Sequence, residues 1–305
     1  MSWIIFAIII VVMLGVDLYI ITTHPHVLGF KEAVRQSLIW IGIAVMFGIG
    51  VYFYKGVDAG NMWFSAYVIE KSLSMDNLFV MYLIFQYFQT PQEYQQECLF
   101  WGILGAMILR ATFIFLGATL VAMFHPILYI FGVVLIWSAY KLVFNNEEEA
   151  SIKENKVVLF FMKHFPVEGM YFGNKFFLKV ITDKVRISAT LLFITLLMIE
   201  TTDIIFAIDS IPAAFGITTD TFILYTSNIL AVLGLRALYF VMASLVNKLW
   251  ALKYGIAIVL AFVGVKMCID HFVEIPTIVS LIIVLSVLLI SGLLSTIKKL
   301  EPVKA

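Results

Sequence analysis

Two stretches of the chain carry acids at a matching spacing. VIEKSLSMDNLFV places Glu70 six residues before Asp76, which Asn77 follows. ETTDIIFAIDSIPAAF places Asp203 six residues before Asp209, which Ser210 follows, with Glu200 one turn ahead. Carboxylates, an amide carbonyl and hydroxyls are hard oxygen donors. They suit Mn²⁺, Mg²⁺ or Ca²⁺ and disfavour Cu⁺ or Zn²⁺. Met75 and Met198 adjoin the acids; a soft sulfur would tilt the choice toward Mn²⁺, although methionine is also common filler in apolar helices. The chemistry on offer is the binding of a divalent cation.

The sequence around these acids is apolar. The chain has 305 residues, 62% hydrophobic and 13% charged, with a mean hydropathy of +1.02. Soluble domains lie near 45–50% apolar and about 25% charged, so a soluble globular, disordered or collagen-like chain is excluded and a polytopic membrane protein remains. Twenty basic residues balance twenty acidic ones, which gives no sign of a nucleic-acid partner. Cys98 and Cys268 make neither a metal-ligand spacing nor a disulfide framework. His24, His26, His125, His164 and His271 fall in loops or at span ends and read as surface residues. No phosphate loop, G-x-S-x-G or H-E-x-x-H occurs, so nothing points to an enzyme or to ATP use.

A bilayer core needs roughly 20 apolar residues in a helix. The sequence predicts nine such spans: Ser2–Ile21, Leu38–Tyr54, Met62–Phe88, Leu99–Phe124, Pro126–Phe144, Ser188–Phe215, Thr221–Val246, Leu249–Phe272 and Ile275–Ile297. No ten-residue alternation suggests a barrel, so the expected fold is all-α. The first span lacks a basic leader and a cleavage site and holds Asp17, which disfavours a signal peptide. Lys and Arg concentrate in the odd-numbered loops and the tail, with only Lys55 in an even loop. That bias predicts an outside N-terminus and a cytoplasmic C-terminus. Residues 145–187 form the one long loop, aromatic and basic after an acidic start. They read as a cytoplasmic linker with an interfacial segment, the lesser alternative being a gating or partner-binding role.

The two acid motifs belong to a larger repeat. When Asp76-Asn77 is aligned with Asp209-Ser210, Glu70 meets Asp203. In the following spans, ILGAMILRATFIF and ILAVLGLRALYF align Arg110 with Arg236. The expected organisation is two N-terminal helices (1–61), a three-helix repeat (62–144), the loop (145–187), a second repeat (188–272), and a last helix with a basic tail (273–305). Three spans per repeat force the second copy to enter the membrane from the opposite side, an architecture that sets a transport site near the midplane.

Six acids lie in the spans (Asp17, Glu70, Asp76, Glu200, Asp203, Asp209) with four bases (Lys71, Arg110, Arg236, Lys266). An ionised side chain in mid-bilayer costs about 2.5–3.5 kcal/mol on insertion scales. The excess of two negative charges is what one divalent cation would neutralise. Arg110 and Arg236 read as counter-ions before substrate contacts. Lys71 and Lys266 read as partners of nearby acids or as snorkelling side chains. Asp17 reads equally as a ligand, a proton carrier or a helix-end cap. In an ideal helix Glu70 shares a face with Asn77, with Ser74 between them, while Asp76 points about 120° away. Either the helix is interrupted between the acids, eased by Ser72, Ser74 or Pro212, or the two carboxylates face different neighbours.

These blocks are also familiar. EKSLSMDNLFV, LRATFIF and ETTDIIFAIDSIPAAFGIT, with MLGVDLYI in the first span and FPVEGMYFGNKFF in the central loop, resemble the signature blocks of the TerC membrane protein family. The early Asp17 segment and the nine-span layout are most similar to its Alx branch. The resemblance implies a bacterial inner-membrane protein related to the lysine-exporter superfamily. Members of that group are associated with manganese efflux, pH homeostasis under alkaline conditions and tellurite resistance. It implies an ion path made by Glu70, Asp76, Asn77, Glu200, Asp203, Asp209 and Ser210. The expected function is an antiporter exporting Mn²⁺ in exchange for H⁺ or Na⁺, with Mn²⁺ as cargo and no resident cofactor. The alternatives are a membrane scaffold that supports metal loading of exported proteins, and a Ca²⁺/cation exchanger. The oligomeric state has no signature in the sequence.

Overall fold

The first helix sets the pattern. In the computed structural model, α1 (Ser2–Thr23) buries Phe6, Ile10, Met13 and Asp17, a stripe at helical spacing, and leaves Ile4, Val11 and Tyr19 exposed. One buried stripe on an otherwise apolar helix is what lipid demands of a peripheral span. The structure describes residues 2–23, 28–124, 126–144, 156–181, 185–245, 251–269 and 275–297. After α1 come α2 (Phe30–Lys55), α3 (Val57–Tyr87), α4 (Gln92–Met123), α5 (Ile127–Phe144) and the short α6 (Lys156–His164). Strands β1 (Val167–Glu168), β2 (Phe177–Ile181) and β3 (Val185–Thr190) precede α7 (Leu191–Phe215), α8 (Thr221–Leu233), α9 (Leu235–Leu245), α10 (Leu252–Ile269) and α11 (Thr277–Ile297).

The helix α3 is central and packs along α2, α7, α8 and α11, while α4 packs along α7 and α8. α5 lies against α10. There a Cβ on Gly132 would stand 2.8 Å from the Gly264 carbonyl oxygen, and one on Gly264 would stand 2.7 Å from that of Gly132. Two small residues let these backbones touch.

Five helical stretches are long and apolar enough to cross a bilayer: Trp3–Ile21, Phe30–Lys55, Gln92–Met123, Leu191–Phe215 and Ile278–Ser295. α8 and α9 together make a sixth, bent by 52°. Each of the nine expected spans falls on a helix or on that bent pair, but length and apolarity support five or six. α3 carries Asp58, Glu70, Lys71 and Asp76, and the apolar part of α5, Leu128–Val143, is short. The molecule is a mostly helical, multi-pass membrane protein.

Two expectations change, and one choice that the sequence left open is decided. The sixth span begins at Leu191, where Thr190 Oγ1 accepts the Phe193 N–H at 3.4 Å, not at Ser188; residues 188–190 belong to β3. The central segment, of which 145–155 and 182–184 lie outside the described residues, is more than a linker. Its described part folds into α6 and a sheet of order β1–β3–β2, with β1 parallel and β2 antiparallel to β3, Phe177 facing Ala189. The Tyr171 hydroxyl fastens this piece to the α3–α4 turn, donating to the Phe88 carbonyl and meeting Thr90 Oγ1, both at 2.9 Å. Finally, α3 and α7 run uninterrupted past their acids, Pro212 included. The break lies in the seventh span, at Gly234.

Candidate metal-ion site

The guanidinium of Arg110, projected from α4, is fully buried. Its Nη1 donates to Glu70 Oε1 on α3 and, at 3.0 Å, to Asn228 Oδ1 on α8. Asn228 Nδ2 in turn donates to Glu70 Oε2 at 2.8 Å, closing a ring of three side chains. Ser74, one turn beyond Glu70, reaches its Oε1 at 3.5 Å. From α7, Asp203 Oδ1 stands 3.5 Å from Arg110 Nη2. The two acids matched by the repeat, Glu70 and Asp203, thus converge on one arginine. Buried charges persist only when paired in this way. Asp203 Oδ2 and the Nε and Nη2 of Arg110 are buried without a hydrogen-bond partner among the described residues, so the cluster retains one acceptor atom and two donor atoms for something else.

Arg236, at the start of α9, makes a different cluster. It holds Asp17 of α1 as a two-pronged pair, Nε to Oδ2 at 3.1 Å and Nη2 to Oδ1 at 2.6 Å, and donates through Nη1 to Gln96 Oε1 at 2.9 Å. A planar guanidinium matches a carboxylate in this geometry. Asp17 is therefore a counter-ion across the bundle. Lys71 donates to the Ala231 carbonyl at 2.9 Å, a main-chain acceptor where a nearby acid or a snorkelling side chain was expected. Lys266 is buried beside a small cavity of about 10 Å³ with Ser65 and Ser280.

The second half of each acid motif points elsewhere. Asn77 and Ser210 line one cavity of about 40 Å³ between α3, α5, α7 and α10, together with Leu73, Phe206 and Ser138. Leu73 and Phe206 are themselves matched by the repeat, so the cavity is lined by two corresponding pairs. A water needs about 10–15 Å³ by such a measure, leaving room for a small ion. The Ser210 hydroxyl is buried and has no hydrogen-bond partner among the described residues. The side chains of Asp76 and Asp209 lie outside the described residues; their backbones are helical, one residue before Asn77 and Ser210. Glu200 is partly buried one turn before Asp203, its carboxylate seated where Gly105 of α4 lacks a Cβ.

Among the described residues no group of three His, Cys, Asp or Glu side chains could hold a metal. Met75 and Met198 pack into the apolar core. Of the histidines only His164 is described, exposed and bonded to the Phe160 carbonyl. Asn228 was missed by sequence reasoning, although the polar run Tyr225-Thr226-Ser227-Asn228 inside an apolar span could have marked it.

At the far end of α3 from Tyr171, Lys55 and Asp220 pair at 2.9 Å. Burial pushes the Asp220 carboxyl up, but Lys55 and the N–H groups of Ile223 and Phe222 outweigh it and hold the pKa below the ordinary Asp value. Tyr171 is shifted the other way. Burial raises its phenol, and hydrogen bonds to Thr195 and Thr90 offset only part of that.

Residues 55–301 match the model of the integral membrane protein TerC family. The chain belongs to the TerC family. It is 40% identical over 299 residues to an uncharacterized membrane protein of Rickettsia bellii, covering 98% of both chains. To an uncharacterized membrane protein of Myxococcus xanthus it is 42% identical over 296 residues, 97% of this chain and 92% of the relative. A relative from Photorhabdus laumondii, named as a candidate membrane-bound redox modulator, Alx, is 37% identical over 302 residues, 96% and 93% of the two chains. No solved structure matches. The TerC match begins at the last residue of α2, so the Asp17–Arg236 pair ties a helix outside the matched region to one within it.

Proposed function

We propose that this TerC-family protein is a secondary transporter that exports a divalent cation, Mn²⁺ first, in exchange for H⁺ or Na⁺. The carrying observation is the cavity lined by the corresponding pairs Leu73/Phe206 and Asn77/Ser210. Its lining residues Asn77 and Ser210 directly follow Asp76 and Asp209, and the polar donors around it are hard oxygens that suit Mn²⁺, Mg²⁺ or Ca²⁺. About two helical turns before Asn77 and Ser210, Arg110 compensates one of the two acids that approach it, Glu70 and Asp203.

On this reading the chain crosses the inner membrane nine times, N-terminus outside and C-terminus cytoplasmic, and residues 62–144 and 188–272 are inverted repeats. Support comes from contacts at opposite ends of α3. Lys55 meets Asp220 at one end, both from even-numbered loops, and Tyr171 meets Thr90 at the other, both from odd-numbered ones. The packing of α3 along α8 and of α4 along α7 is the exchange an in-plane two-fold axis would produce.

The test is Mn²⁺ flux into proteoliposomes made with the purified protein. Asp76→Asn and Asp209→Asn should each abolish flux while membrane insertion is intact; flux retained in either overturns the site. Competition by Ca²⁺ separates a general cation exchanger. A scaffold reading draws on the folded central segment, where Met170, Phe172 and Phe177 are exposed. It predicts a stable complex that depends on this segment, and no flux.

A further inference from the structure

The seventh span breaks at Gly234, where α8 and α9 meet at 52°. A helix end leaves the carbonyls of its last turn without intrahelical partners. In membrane transporters, half-helix C-termini of this kind coordinate Na⁺. Here that position is taken. Lys71 reaches from α3, and its Nζ donates to the carbonyl of Ala231 in the last turn of α8 at 2.9 Å. A Cβ on Gly234 would lie 3.3 Å from the same Nζ and 3.0 Å from Trp40 Cβ, so the ammonium is packed against the break itself. The neighbouring Glu70 is engaged by Arg110 and Asn228, and the lysine bonds to a main-chain dipole.

The other half of the chain serves as an internal control. Under the repeat alignment Lys71 falls on Ile204, Ala231 on Gly105 and Gly234 on Ile108. α4 runs unbroken through Ile108. Lysine and break occur together at one place and are absent together at its counterpart. A lysine kept only to snorkel would not require that.

We infer that the Lys71 ammonium is a tethered cation filling the position a Na⁺ would occupy at the α8–α9 break, and that exchange by this protein therefore runs without Na⁺. The statement about the position is independent of transport; the statement about exchange rests on the function proposed above. The C-terminal end of α8 carries a partial negative charge that one cation satisfies. A second cation at the same carbonyls would meet a like charge in a space already filled.

The experiment compares melting of the purified full chain in NaCl and in choline chloride at equal ionic strength. Wild type and Lys71→Arg, which keep a cation at the break, should melt alike in both salts. Lys71→Ala should gain about 2–4 °C in NaCl. In proteoliposomes, wild-type Mn²⁺ flux should be the same with Na⁺ or choline present. A Na⁺-driven flux, a Na⁺-specific stabilisation of wild type, or a Lys71→Ala protein indifferent to the salt overturns the inference. If Lys71→Ala does not fold, Lys71→Gln replaces it, and the wild-type measurements stand regardless. Absence of Mn²⁺ flux under every ion gradient overturns the transport reading instead and leaves the melting comparison to decide the lysine.

Discussion

Arg110 and Arg236 stand at corresponding places in the two halves, each preceded by Leu and followed by Ala, yet they keep different company. Arg110 gathers Glu70, Asp203 and Asn228 from three helices. Arg236 holds Asp17 of the first helix and Gln96. The backbone around each one explains the divergence. α4 is unbroken and presents Arg110 to α3, α7 and α8, whereas the break at Gly234 turns the chain two residues before Arg236, which reaches Asp17 of α1. A matched motif specifies a buried base; the local path of the helix chooses the acids it serves.

The largest expected effect tests that distinction directly. Arg110→Met leaves Glu70 and Asp203 buried without their base, a loss of about 3–5 kcal/mol, read as failure to accumulate or a collapsed melting temperature in detergent. Arg236→Met leaves one acid, Asp17, whose side chain keeps 11% exposure, and the neutral Gln96 without that donor, and should cost less, about 2 kcal/mol. Equal losses would erase the difference between the two sites. Next comes Asn228→Leu, which leaves Glu70 Oε2 short of a donor and should cost about 1–3 kcal/mol. A melt unchanged from wild type would remove Asn228 from the cluster.

The smallest effect lies at Lys55–Asp220, the exposed contrast to both arginines. The folded pKa of Asp220 is depressed, so its contribution is present above the ordinary Asp range and is lost as pH falls through the folded value. Asn caps a helix as well as Asp does, so Asp220→Asn isolates the charge. It should lower the melting temperature at pH 7, by the equivalent of about 0.5 kcal/mol given that both side chains are partly solvated, and by less at pH 3. An equal shift at the two pH values would refute a role for the ion pair.

Much of this was legible in the residues. The acid pairing of Glu70 with Asp203 followed from the repeat, because charges are rare in spans and a coincidence of two is informative. The helices followed from apolar length. The sheet did not, because β1 has two residues and pairs with a strand about twenty positions later, a contact no local pattern encodes. The break at Gly234 was hidden for a related reason. Glycine is frequent in spans as a packing residue, and nothing in LGLRAL distinguishes a kink from a close approach. Asn228 looked like ordinary polar content until α8 placed it between a carboxylate and a guanidinium.

β3 ends at Thr190 and α7 begins at Leu191 with no slack between them, while Tyr171 of the same small piece is bolted to Phe88 at the end of α3. The segment between α5 and α7 therefore acts as a bracket across the two acid-bearing rods. Tension applied to it would be transmitted along both at once, through Thr190 to α7 and through Tyr171 to α3.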